Sequence, residues 1–170
     1  MLNIQKIIGF FKDLFSAPPE PSNSSDVMTN TYPIYFSLAE LIYSDTAKSK
    51  GIDNTPTFEI VDNLKELAFF LDDMRQEWGS GIRVCSGYRC DELNSAVGGV
   101  SNSEHRLGWA ADLQPSNGKM FLFKEFVVKY LKGKKYSQCI IEKSGKTEWI
   151  HFSLYGVNKS QRCQCFKIEN

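Results

Sequence analysis

The segment NTPTFEIVDNLKELAFFLDDMRQEWG, residues 54–79, constrains the fold more than any other stretch. Ile60, Leu64, Leu67, Leu71, Met74 and Trp78 recur every three or four residues, so they form one stripe along an α-helix. Thr55 is placed to cap that helix, Pro56 suits its first position, and Gly79 ends the pattern. After Gly79 the texture changes. IRVCSG, WAADLQ, QCIIEK and EWIHFSL read as strands, and QCFKIE is a candidate fifth. One further helix, KMFLFKEFVVKYL, carries Met120, Phe123, Val127 and Tyr130 on one face and stops at Gly133. Helices first and then mostly strands imply an α+β domain with a small, mainly antiparallel sheet and helices packed on it.

Upstream, SLAELIYSDTAKSKG reads as a helix, with Ser37 and Glu40 spaced as a capping box and Gly51 as its stop. Residues 1–15 place Ile4, Ile7, Ile8, Phe11 and Phe15 at helical spacing, a short amphipathic helix. With only two lysines it is expected to dock on its own domain or fray, a weak contact with a membrane surface or partner helix being the alternative. The prolines, serines and asparagines of residues 16–30 mark a flexible linker, so the folded domain is expected over 31–170.

A chain of 170 residues with 42% hydrophobic content can bury one core. Its 20 basic and 20 acidic residues cancel, so no global field draws it to nucleic acid or to an anionic membrane. No apolar run reaches the roughly 20 residues that span a bilayer. The apolar stretch before Lys12 and Asp13 is short and lacks a small-residue cleavage site, which does not read as a secretory signal and implies synthesis in the cytoplasm. Cys85, Cys90, Cys139, Cys163 and Cys165 are odd in number with no CxxC pair, a pattern expected of reduced thiols.

The chemistry starts from two histidines. In SEHRLGWAADLQ, Gly108 permits a tight turn after His105. Alternation along the following strand then sets Ala110, Asp112 and Gln114 opposite Trp109, Ala111 and Leu113. A carboxylate in that apolar company is costly to bury without a positive partner. A plain salt bridge to Asp112 answers that need, with His105 a surface-loop residue and His151 a satisfied strand histidine. Taken together, however, His105, Asp112 and His151 supply three ligands with one negative charge, which suits a single Zn2+ that keeps a position free for water. Zinc lowers the pKa of such a water to about 7, and a nearby carboxylate can take its proton. Glu148 precedes His151 by three residues, and residues three apart on a regular strand face opposite ways. Glu148 can serve as that base only if a bulge or turn separates it from His151, or if it enters from the end of the strand.

SEHRLGWAAD followed by EWIH, with SGYR and LNSAVGG upstream, resembles the zinc-dependent D-Ala-D-Ala carboxypeptidase family, which includes phage L-alanyl-D-glutamate endolysin peptidases. Ser103, His105, Gly108, Ala110 and Asp112 match the pattern SxHxxGxAxD, and Glu148 and His151 match ExxH; the resemblance runs from about Phe36 to Ser153. It implies the Hedgehog/DD-peptidase fold, zinc on His105, Asp112 and His151, and Glu148 as catalytic acid/base. It also implies that Arg89 faces the substrate, holding a carboxylate or steadying the tetrahedral intermediate. Ser103 is expected to shape the loop or contact substrate, because no base is visible for it.

The function these features lead to is hydrolysis of a peptide bond in the peptidoglycan stem peptide by a monomer acting at the cell wall or periplasm. For a phage lysis enzyme, release would need a separate membrane-permeabilising protein. The alternatives are a non-catalytic zinc-containing module of the same fold, binding wall or protein, and a zinc amidohydrolase acting on another small amide.

Overall fold

The computed structural model describes residues 32–169. The expected helix over 1–15, the linker over 16–30 and the domain boundary at Thr31 lie outside the described residues. Three helices come first: α1 (Leu38–Ile42), α2 (Asp45–Lys50) and α3 (Phe58–Trp78). There follow β1 (Ile82–Ser86), α4 (Asp91–Ala96), a 3-10 turn (Glu104–Leu107), β2 (Ala110–Pro115), α5 (Met120–Tyr130), β3 (Gln138–Ser144), β4 (Thr147–Ser153) and β5 (Gln164–Glu169). The strand order is β1-β2-β4-β3-β5, antiparallel throughout except for the parallel β3–β5 pair. The α+β class with a mainly antiparallel sheet is therefore the architecture of the domain.

The long helix forms as its stripe requires, with Leu64, Leu67, Leu71 and Met74 removed from solvent. Each such side chain contributes roughly 1.5–3 kcal/mol of burial free energy. Its cap lies two residues later than the sequence suggests. The Thr57 hydroxyl, not that of Thr55, accepts from the Ile60 N–H at the first turn, while Thr55 Oγ1 bonds Asp53. The single helix expected over Ser37–Gly51 is two. Ser37 caps α1 by accepting from Glu40 N–H, but Tyr43 adopts an extended conformation and Ser44 caps a fresh helix that starts at Asp45, accepting from Ala47 N–H. A second capping serine gave the backbone another place to satisfy its orphan N–H groups.

Alternation along the strands divides the sheet into two unlike faces. Ala111, Leu113, Ile150 and Phe152 belong to the core beneath α3 and α5. There Phe70 stacks on Phe152 at 4.9 Å and Trp78 meets Phe123 edge-on at 5.2 Å. The other face carries Asp112, Ile140, Glu142, Trp149 and His151 and floors a cleft of about 1160 Å³. Among the described residues no helix is long and apolar enough to cross a membrane.

Candidate metal centre

His105 reaches the cleft because its 3-10 turn ends at Gly108, whose φ of 70° turns the chain straight into β2. A left-handed residue at that point strongly favours glycine. A side chain there would also press on Ile60 and Leu64 of α3, the nearest atom at 3.0 Å. Three residues into the strand comes Asp112, directly opposite His151 on β4. Two side chains far apart in sequence are thus brought together by strand register, and the third by a turn.

The donor atoms converge closely. His105 Nε2 and His151 Nδ1 are 3.1 Å apart, and Asp112 Oδ1 lies 3.3 Å from the first and 3.1 Å from the second. Zinc bonds of about 2.0–2.1 Å in tetrahedral array separate ligands by about 3.3 Å, so this triangle fits the ion. Second contacts orient two of the donors, His105 and Asp112. His105 Nδ1 lies 2.7 Å from the Gly87 carbonyl and donates to it, which leaves Nε2 unprotonated toward the cleft. Burial pushes the His105 pKa below its ordinary value, against the pull of Asp112. Burial alone would raise the Asp112 carboxyl, yet the two adjacent imidazoles outweigh it and hold the group well below the usual carboxylate range.

Arg89 stands behind Asp112. One guanidinium nitrogen bonds Asp112 Oδ2 at 2.7 Å, and Nε donates to Ser86 Oγ at 2.8 Å. Ser86 meets Asp112 because β1 shifts register between Val84 and Ser86, bulging at Cys85. The loop bearing Arg89 is fixed by Asn54, which donates to the Ile42 and Tyr88 carbonyls, both at 2.9 Å, and accepts from Cys90 N–H at 2.7 Å. Ser103 caps the His105 turn through its backbone position, makes no side-chain capping bond, and lines the cleft. Next to His105, the buried Glu104 carboxylate pairs with Arg162, which also donates to Ser137 Oγ at 3.0 Å.

Glu148 is not part of this cluster. The register of β3 with β4 is unbroken from Gln138↔Ser153 to Ser144↔Thr147, so the irregularity expected between Glu148 and His151 is absent. Alternation puts Glu148 on the face opposite His151, where Lys124 Nζ of α5 holds its carboxylate at 2.6 Å. That pairing keeps the Glu148 carboxyl below its ordinary value. The bulge that shapes the site lies in β1 instead.

The carboxylate that does share the ligand face is Glu142, directly across from Trp149 and, like it, lining the cleft. Burial raises its pKa above the ordinary value, partly opposed by the charges of His151 and Arg89 and by hydrogen bonding to Trp149. Sequence reasoning missed Glu142, Trp149 and Asn54. The signal for the first two was the tight SGKT turn at Ser144–Thr147. It fixes the hairpin register and so pairs residue 142 with 149. Asn54 carries no periodic signal.

The five cysteines are free thiols, Cys139 buried and Cys163 and Cys165 exposed. Among the described residues the one group of three or more acidic, histidine or cysteine side chains suited to a metal is His105, Asp112 and His151. In comparison with known proteins, the family described as Peptidase M15 matches residues 34–153. No curated protein matches the chain.

Proposed function

The chain belongs to the Peptidase M15 family, and we propose that it is a zinc-dependent peptidase hydrolysing a peptide bond in the stem peptide of peptidoglycan, of D-Ala-D-Ala carboxypeptidase or L-Ala-D-Glu endopeptidase type. The observation that carries this reading is the triangle of His105 Nε2, Asp112 Oδ1 and His151 Nδ1 on the floor of an open cleft. Three donors with one negative charge match the ligand set of a hydrolytic zinc site, not the closed four-ligand set of a structural one. Zinc held by these side chains supplies a water that ionises near neutral pH and a Lewis acid for the scissile carbonyl.

The protein's own groups do the rest. The Gly87 carbonyl fixes the His105 tautomer, and Arg89 fixes the Asp112 carboxylate. A guanidinium has five N–H donors, more than Ser86 and Asp112 consume, so Arg89 can also bind a substrate carboxylate or the tetrahedral oxyanion. Ser103, on the cleft wall, contacts the peptide and does not attack it. The proposal has the protein act as a monomer at the cell wall or periplasm after synthesis in the cytoplasm, and a phage lysis enzyme would depend on a separate membrane-permeabilising protein.

The test is mass spectrometry of peptidoglycan fragments after digestion, with chelator and with zinc restored. New termini at one stem-peptide bond, lost with chelator and regained with zinc, are expected. Zinc-loaded protein that binds wall without producing new termini refutes the reading in favour of a non-catalytic module.

A further inference from the structure

We infer that Glu142, and not Glu148, is the catalytic residue that moves the proton during hydrolysis in this cleft. The inference rests on the peptidase reading above. Peptide hydrolysis needs one group to take a proton from the attacking water and deliver it to the leaving amine. That group must stand on the same face as the ligand triangle, within reach of a water beside it.

Strand register decides which carboxylate qualifies. Ile140 is opposite His151 and Glu142 is opposite Trp149, so Glu142 is the diagonal neighbour of His151 on the open face. Diagonal neighbours in an antiparallel pair lie about 7–8 Å apart. A glutamate side chain spans enough of that gap to bring its carboxylate to a water at the triangle. Glu148 faces the other way and is tied to Lys124, so the straight ladder that excludes it is the same one that presents Glu142. The three remaining cleft carboxylates are occupied: Asp112 is one of the proposed ligands, Glu104 is paired with Arg162, and Asp45 at the rim accepts from the Tyr43 hydroxyl at 2.5 Å.

The step balances with no further reagent. The water O–H bond breaks and its proton goes to a Glu142 carboxylate oxygen, while the water oxygen bonds to the carbonyl carbon. The C–N bond then breaks with its electron pair on nitrogen. Glu142 returns its proton to that nitrogen, leaving a carboxylic acid, an amine and Glu142 in its starting state.

The test compares Glu142→Gln and Glu148→Gln in the full chain, each loaded with zinc. In Glu142→Gln, kcat is expected to fall about 10²- to 10⁴-fold. Its zinc content and its calorimetric affinity for intact stem peptide should match wild type. With cobalt(II) in place of zinc, the pH-dependent change of the visible spectrum should shift in Glu142→Gln and not in Glu148→Gln, a readout independent of turnover. Glu148→Gln should keep kcat within several-fold. Undiminished hydrolysis in Glu142→Gln overturns the assignment, as does loss of its zinc, which would make Glu142 part of the ligand shell. A large kcat loss confined to Glu148→Gln with zinc retained overturns it in favour of Glu148. If wild-type protein cuts no stem peptide, the peptidase reading fails and this assignment fails with it.

Discussion

Gly87→Ala tests how the site is held in place. Gly87 is not among the glycines with positive φ, so its backbone conformation does not demand glycine. Space does. A Cβ at Gly87 would sit 2.1 Å from the Leu41 carbonyl oxygen and 2.9 Å from its carbonyl carbon, both backbone atoms that no rotamer change can move. The loop must shift, straining the adjacent bond from Tyr88 N–H to the Leu41 carbonyl, which is 2.7 Å long. Overpacking costs about 1–3 kcal/mol and a lost backbone hydrogen bond about 0.5–1.5, so roughly 2–4 kcal/mol is expected. In urea, with an m-value of about 2 kcal/mol/M, the midpoint should fall by about 1–2 M. The same carbonyl of Gly87 orients His105, so zinc affinity should drop about 10- to 100-fold. Gly51→Ala is the control. Gly51 has φ 68° and nothing within 4 Å of an added Cβ, so it should lose about 1–2 kcal/mol of conformational strain with zinc affinity unchanged. If Gly87→Ala unfolds no more easily than Gly51→Ala and binds zinc as tightly as wild type, the close-approach reasoning is wrong.

Three further outcomes are expected. Arg89→Lys removes the nitrogen that holds Asp112 Oδ2 at 2.7 Å and should weaken zinc binding about 10- to 100-fold in competition with a chromophoric chelator; equal affinity would show that Asp112 is oriented by other means. Chelation should lower the unfolding midpoint as well as stop hydrolysis, because zinc at 1,000 times its Kd adds about 4 kcal/mol to the folded state; a midpoint indifferent to chelator would mean the triangle does not hold the ion. Glu148→Gln should cost at most about 1 kcal/mol, since the Lys124 pair is partly exposed. Its pH dependence has a definite sign. The folded pKa of Glu148 is depressed, so its contribution is present above the unfolded value near 4.3 and is lost as pH falls through the folded value. Wild type and Glu148→Gln should therefore converge in stability under acid, and a gap that widened instead would contradict the pairing.

Local pattern and local chemistry were legible without coordinates. The apolar stripe of residues 60–78 could be nothing but a core-facing helix, and the β-branched runs after Gly79 could pair only as a sheet. The grouping of His105, Asp112 and His151 that could hold a metal was legible too, for a charge among apolar strand residues needs a positive partner and the chain has only two histidines to offer. Where competing local signals coexist, the reading slipped: Thr55 and Thr57 both suit a cap, and Ser44 restarts a helix that Ser37 began. The proton carrier was beyond the sequence, because which carboxylate shares a face with His151 depends on whether strands slip or run true. One inserted residue flips every later side chain to the other face. The insertion fell in β1, where it seats Ser86 beside Arg89 and Asp112, and not in β4, where it would have turned Glu148 into the cleft. Composition and periodicity determined the layers and the candidate ligands; pairing register, a property of two strands and not of either alone, decided which carboxylate faces them.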